Sequence, residues 1–284
     1  VGYQPTWSGL DPDTVRFEAL THVCLAFANP VGDTDEFEFS DVTPAEVAAF
    51  VARAHAEGVE VLGSIGGGYD SPRLVPYLEP DRVADTVAAV VDLVARHGLD
   101  GIDVDIEGEA ISATYEPFVT ALAEALEDHT LTAAVATWNG DDVSDVALAA
   151  YDFVNVMSYD QCGPWSGPCP HSTLAAVDAD LGYWVDQRGV PADAAVLGVP
   201  FYGYCWGAAC PGEYLGYREI VAQWPEWADQ DWVEAPDLRL SLNGPTTIAA
   251  KRDIGRAYGG VMAWELSLDT SGDDSLLDVL VSRP

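Results

Sequence analysis

Hydrophobic and polar positions along the chain follow two periods in turn. Eight short runs rich in β-branched, leucine and aromatic residues read as strands, near residues 1–4, 20–28, 59–65, 99–107, 130–137, 151–158, 194–201 and 260–265. Between them, apolar residues recur every three or four positions near 43–57, 80–97, 112–128, 172–188 and 245–258, as in amphipathic helices. The punctuation agrees. His55-Ala56-Glu57-Gly58 leads into Val59-Glu60-Val61-Leu62, Arg96-His97-Gly98 into Leu99, and Gln187-Arg188-Gly189 into the run from Ala195. Glycine just past a helix takes the left-handed conformation that ends it. Thr43-Pro44-Ala45-Glu46 is a capping box with proline at the first helical position.

Eight such alternations in 284 residues predict an α/β fold, a (β/α)8 TIM barrel forming a single domain over residues 1–284. A doubly wound sheet is the alternative, but no glycine-rich phosphate-binding turn follows the first strand. The stretch near 205–240, after the seventh strand, holds Trp206, Trp224, Trp227 and Trp232 without a clear period. It is expected to be an irregular loop insertion, too short for a full α+β insertion domain.

The candidate chemistry lies in Asp100-Gly101-Ile102-Asp103-Val104-Asp105-Ile106-Glu107. Side chains alternate along a strand, so Ile102, Val104 and Ile106 share one face and Gly101, Asp103, Asp105 and Glu107 the other. The apolar face suits packing against outer helices, which turns the acids inward. Carboxylates spaced at roughly 7 Å on an interior face do not all ionise cheaply. At least one is expected to keep its proton, with coupled titrations. Glu107 ends the run, where barrel enzymes do their chemistry, and is the candidate general acid. Acid spacing alone is a weak signal in so acidic a chain; the apolar residues between the acids make it specific. A Mg²⁺ or Ca²⁺ site is the competing use of such an oxygen cluster.

Charge narrows the partners. With 12 Lys+Arg against 47 Asp+Glu the formal net charge is −35, which repels nucleic acid and anionic membrane surfaces. At 49% hydrophobic residues the chain can still bury a full core. No apolar run reaches the roughly 18 residues a membrane span needs. Lysine occurs once, at Lys251. A surface of unbalanced carboxylates repels itself in dilute salt and is screened in molar salt, so a salt-adapted protein is expected. The chain opens on Val1, as expected of a processed or excised domain. Cys24 sits in an apolar run and reads as a buried thiol. The other four cysteines form two close pairs, for which local bridges 162–169 and 205–210 are preferred among three connectivities; zinc ligation is a weaker alternative. Bridges imply a secreted, extracellular protein.

Three further strand ends accompany the acids: Ser64-Ile65-Gly66-Gly67, Met157-Ser158-Tyr159-Asp160 and Gly260-Val261-Met262-Ala263-Trp264. Together with Asp100 to Glu107, the set closely resembles family 18 glycoside hydrolases, the chitinase family, nearly end to end. The resemblance implies that Glu107 protonates the glycosidic oxygen. Asp105 would orient the substrate N-acetyl group and tune Glu107, with Asp103 sharing a proton behind it. Tyr159 would hydrogen-bond the reacting acetamido group, and Trp264 would floor the sugar subsite. Tyr3, Phe27, Met157, Asp160, Tyr202, Ser64, Gly66 and Gly67 match family motif positions and are expected to bind substrate at that subsite, and Trp138 is a candidate stacking residue, as are Trp165 and Trp206. No cofactor and no metal are implied. Plainer readings stand beside these: a simple turn at Gly66-Gly67, core packing for Tyr159 and Trp264, and an ordinary loop residue at His171.

The implied activity is that of an endo-acting, retaining chitinase, hydrolysing chitin or N-acetylglucosamine oligosaccharides with the substrate's own acetamide as nucleophile. Alternatives are an endo-β-N-acetylglucosaminidase on glycans or peptidoglycan and a non-hydrolytic lectin of the same fold. A monomer is expected, with room for an accessory chitin-binding domain in the parent protein. Two departures from the family are visible: Tyr204 follows Phe201-Tyr202-Gly203 where many relatives have arginine, and Ala136-Thr137-Trp138-Asn139 replaces a small-Pro-Ala pattern.

Overall fold

A computed structural model describes residues 1–32, 34 and 36–282. The chain divides into two compact units, one of Val1 with residues 3–155 and one of Gly2 with the residues from 156 onward.

The first unit contains β1 (Gly2–Pro5), β2 (His22–Pro30), β3 (Phe37–Phe39), β4 (Glu60–Gly66), β5 (Gly101–Asp105), β6 (Thr130–Val135) and β7 (Phe153–Val156). β2, β4, β5 and β6 pair side by side in parallel, β1 pairs with β2, and β3 adds antiparallel to β2. Helices Pro44–Ala56, Val83–His97 and Tyr115–Leu126 fill the connections. Each starts or stops where the residues dictate. The Thr43 hydroxyl accepts from Glu46 N and the Glu46 carboxylate from Thr43 N, the predicted capping box. Gly98 ends the second helix at φ 64°, and Gly58 follows the first at φ 76°. Val87, Val90, Leu93 and Val94 bury the apolar stripe of helix Val83–His97. On β5, Ile102 and Val104 are wholly buried, each contributing about 1.5–3 kcal/mol by leaving water. Asp100 Oδ2 ties the start of β5 to its neighbours, accepting from Val61 N at 2.7 Å and lying 2.8 Å from His55 Nε2.

The second unit contains β8 (Ala195–Pro200), β9 (Tyr202–Trp206), β10 (Tyr214–Gly216), β11 (Trp232–Ala235), β12 (Leu238–Ser241) and β13 (Gly260–Trp264). β8 and β13 pair in parallel over Val196–Pro200 and Gly260–Trp264, and Gly2 pairs with Ala263. Helix Leu174–Leu181 runs on into a π-helical turn, Gly182–Gln187, and helices Tyr217–Gln223, Pro245–Gly255 and Leu276–Val281 follow.

The stretch expected to be irregular is instead an antiparallel sheet in the order β10-β9-β12-β11, with helix Tyr217–Gln223 between two of its strands. Its strands are three to five residues long, too short to display a period of two, yet β9 does alternate, with Tyr202, Tyr204 and Trp206 separated by Gly203 and Cys205. Gly203 permits the pairing: a Cβ there would lie 2.3 Å from the carbonyl of Ser241. Disulfides join Cys162 to Cys169 and Cys205 to Cys210, and Cys24 is a buried free thiol. These are the pairings preferred from spacing.

Candidate active site

Neighbouring strands deliver the acids and the groups that hold them. In register, Ser64 of β4, Asp103 of β5 and Thr132 of β6 stand side by side. Asp103 is fully buried and takes four donors. Its Oδ2 accepts from Tyr3 Oη and Ser64 Oγ, both at 2.7 Å, and its Oδ1 from Thr132 Oγ1 at 2.6 Å and Asn155 Nδ2 at 3.3 Å. Burial raises its pKa while the four donors oppose that rise. Asp105, two residues on and also buried, is pushed well above the ordinary carboxylate range by burial, then by the charges of Glu107 and Asp103. Among the described residues its Oδ1 has no hydrogen-bond partner. The interior pair therefore favours keeping a proton, and Asp105 is the member pushed further.

Glu107 lies beyond the strand end and is partly exposed, with extended backbone leading into the turn Gly108–Ala110. Its backbone N donates to Ser71 Oγ at 2.9 Å, and Ser71 Oγ also lies within reach of the Asp105 carbonyl at 3.3 Å. The Ser-x-Gly-Gly motif explains itself here. Gly66 has φ 104°, and a Cβ on it would sit 2.3 Å from the Asp105 carbonyl oxygen; Gly67, at φ 85°, would collide with the Phe27 ring at 2.4 Å. Asn29 clamps this approach, donating to Gly66 O at 3.0 Å and accepting from Gly66 N at 3.1 Å. Phe27, half-buried, follows a cis peptide bond at Ala26-Phe27 and tilts against Trp7. Trp138 is 70% exposed, with its ring edge near Gly108.

The second unit carries the remaining motif residues. Tyr159 is buried and meets Tyr202 edge to face at 6.1 Å. Asp160 adopts φ 62° and accepts from Tyr202 Oη at 2.5 Å and Tyr204 Oη at 3.1 Å. Burial and the Asp160 charge raise the pKa of both phenols. Tyr204 thus binds this carboxylate from the position where the family resemblance leads one to expect arginine. His171, expected as an ordinary loop residue, is instead wholly buried against Tyr202 and Tyr204, with Nδ1 3.5 Å from Asp160, and burial lowers its pKa. Met157 and Trp264 are half-buried. A cis peptide joins Trp264 to Glu265, whose buried carboxylate accepts from Ser267 N and Oγ and is raised by burial to about 7.

The sequence reading missed four contributors: Thr132, Asn155, Asn29 and Ser71. Thr132 was findable, because it shares the inward phase of its strand and faces Asp103 once the strands are aligned. Asn155 stands in the apolar run before the Met-Ser-Tyr-Asp motif and was a weaker signal of the same kind. Ser71 and Asn29 had none. Among the described residues no group of three or more His, Cys, Asp or Glu side chains is placed to hold a metal ion, and no helix is long and apolar enough to cross a membrane.

A half-exposed glutamate at a strand end, preceded by two buried aspartates whose pKa values burial raises, has the form of a glycosidase acid site. Residues 1–269 match the glycosyl hydrolases family 18, and the chain belongs to that family. The fold agrees: the GH18 chitinase ChiB from Flavobacterium johnsoniae superposes with a TM-score of 0.87 at 30% identity, over 99% of this chain and 91% of that one. The fold class is accordingly the eight-stranded parallel (β/α)8 barrel. A chitinase-like effector of Moniliophthora perniciosa is 29% identical over 261 residues, covering 79% of this chain and 59% of its own. Chitinase C of Streptomyces lividans is 31% identical over 226 residues, covering 62% and 36%. The chain thus spans between about a third and three fifths of the length of these curated relatives.

Proposed function

We propose that this chain is an endo-acting, retaining chitinase domain that cleaves β-1,4-linked N-acetylglucosamine polymers by substrate-assisted catalysis. The observation that carries the reading is the Asp103–Asp105–Glu107 series, in which a buried pair favouring a proton stands directly behind a half-exposed glutamate. Glu107 donates its proton to the glycosidic oxygen as the bond to the leaving sugar breaks. The acetamide oxygen of the same substrate attacks the anomeric carbon, taking the place of a second protein carboxylate. Asp105 accepts from the acetamide N–H and offsets the positive charge that develops on it, while Asp103 takes up the shared proton. Glu107 then removes a proton from water, which opens the cyclic intermediate with overall retention. From the family motif, Tyr159 is assigned to hydrogen-bond the acetamido group and Trp264 to stack on the sugar; Phe27, Met157, Asp160, Tyr202 and Trp138 are assigned to binding, whereas Tyr3 and Ser64, also expected to bind substrate, are buried and donate to Asp103 instead. The short insertion supports an open groove and internal cleavage.

The same reading includes a secreted protein adapted to high salt. Two disulfides favour an oxidising compartment. A net charge of −35 with a single lysine favours a saline one.

The test is hydrolysis of chitohexaose in molar NaCl with EDTA, resolving product lengths and initial anomers. Internal cleavage to β-anomers without loss to the chelator is expected. Binding without cleavage would favour a lectin, a reading for which the similarity to a chitinase-like effector gives some ground. Cleavage confined to N-glycans or peptidoglycan would favour an endo-β-N-acetylglucosaminidase.

A further inference from the structure

Lys251 is the chain's one lysine, and it is wholly buried. An ammonium taken out of water survives in the core only when each of its protons finds an acceptor. Lys251 Nζ has three: Ser172 O at 3.0 Å, Ser172 Oγ at 2.5 Å and Asn243 Oδ1 at 2.7 Å. Asn243 is itself fixed, since its Nδ2 donates to Ser172 O at 2.9 Å. The chain of contacts continues outward. Ser172 Oγ donates to the carbonyl of Ser158 at 2.6 Å, and Ser158 Oγ donates to Asp180 at 2.6 Å. Ser158 directly precedes Tyr159 and Asp160, and Ser172 directly follows His171, the residue packed against Asp160 and its two tyrosine partners.

All these groups lie in the second unit, and Ser158, Ser172, Ser241 and Asn243 are buried to within 2%. The segment from Gln161 to His171 is a loop closed at its base by Gln161 N on His171 O at 3.1 Å, and by His171 N on Ser241 Oγ at 2.8 Å. Lys251 reaches that base through Ser172, the residue after His171. We propose that Lys251 is a positioning residue: through Ser172 it holds the carbonyl of Ser158, and so fixes the Tyr159-Asp160 strand end and the loop that packs His171 onto Asp160.

The charged groups around the ammonium agree with this role. Burial pulls Lys251 down to about 7, and the Asp231 and Asp180 carboxylates oppose that fall. The His171 pKa, lowered chiefly by burial, is lowered further by the Lys251 charge. Arg252, its neighbour on the helix, turns away to Asp253, Val279 O and Ser282. A neutral amine would leave one of the three acceptors without a donor, so the ammonium is the form that holds the loop.

The link to substrate rests on the chitinase reading; the link to the loop does not. In Lys251→Met at pH 6, amide exchange at Gln161 and His171 is expected to quicken about tenfold or more while Met262 and Leu197 of β13 and β8 keep their rates. Uniform acceleration, or none at the loop, would overturn the proposal. Should the variant not fold, wild type labelled with ¹³C-lysine gives one Cε resonance. Amide exchange at Gln161 and His171 that quickens as that resonance titrates to the neutral amine supports the network; exchange at the loop that ignores the titration overturns it. Kinetically, Lys251→Met is expected to raise KM for chitohexaose about fivefold and, because Tyr159 is assigned to the reacting acetamide, to lower kcat as well. An unchanged KM with a loosened loop would refute the role in binding. Absence of turnover in wild type itself would count against the chitinase reading alone and leave the exchange and resonance results standing.

Discussion

Tyr3 and Asp103, a hundred residues apart in the chain, meet through a 2.7 Å hydrogen bond from the phenol to Asp103 Oδ2. The bond pins the first strand to the acidic strand, and it supplies one of the four donors found among the described residues to a fully buried carboxylate. Tyr3→Phe removes that donor without removing the ring. A loss of about 1.5–3 kcal/mol is expected at pH 7 by denaturant unfolding, the range for a hydrogen bond to a charged group. Because the lost donor favours the ionised form, the loss should shrink toward pH 4. An equal loss at both pH values would remove Asp103 ionisation as its cause.

Asp105 gives the opposite sign. Its folded-state pKa is raised, so the folded protein binds more protons than the unfolded chain from the ordinary carboxylate range, near pH 4, upward to its folded value. Stability is lost as pH rises through that window. Asp105→Asn cannot ionise, so relative to wild type it should gain stability at pH 7, and the gap should close near pH 4. Thermal unfolding of the two proteins across that range checks the sign.

Glu107→Gln is expected to lower kcat on chitohexaose about 10²–10⁴-fold, the contribution of a positioned general acid, with oligosaccharide affinity retained. Turnover near that of wild type would move the acid role elsewhere. Loss of affinity in parallel with rate would make Glu107 a binding group.

The acidic surface makes its own forecast. Tm should climb steadily from dilute buffer to molar NaCl, since the Debye length contracts to about 3 Å at 1 M. A flat or falling Tm would dispose of salt adaptation. Sodium sulfate and NaCl compared at equal ionic strength separate screening from general salting-out.

Much of this was legible in the residues. The eight strand runs lie within a few positions of β1, β2, β4, β5, β6, β7, β8 and β13, because each is a β-branched run bounded by a glycine cap or a turn. The acid alternation was readable for a similar reason: apolar residues at 102, 104 and 106 leave the acids one possible face. The antiparallel sheet at Tyr202–Ser241 was not, since strands of three to five residues are specified by their partners more than by their own pattern. His171 and Lys251 were opaque as well. Lys251 is buried on acceptors that include Ser172, 79 residues away, and the His171 ring is buried against Tyr202 and Tyr204; no local spacing records either.

The donors around Asp103 also set an order of events. Asn155 Nδ2 reaches both Asp103 and the hydroxyl of Tyr3, a separation of 152 residues in the second case. Closing a loop of that length precedes any reward from the contact, which places the polar knot late in folding rather than at its start. A nascent chain released before Asn155 leaves the ribosome holds the whole acidic motif and lacks one of the donors that surround it. Such a fragment is an aggregation hazard sooner than a weak enzyme, and stalls in translation across this stretch should register in folding yield before they register in turnover.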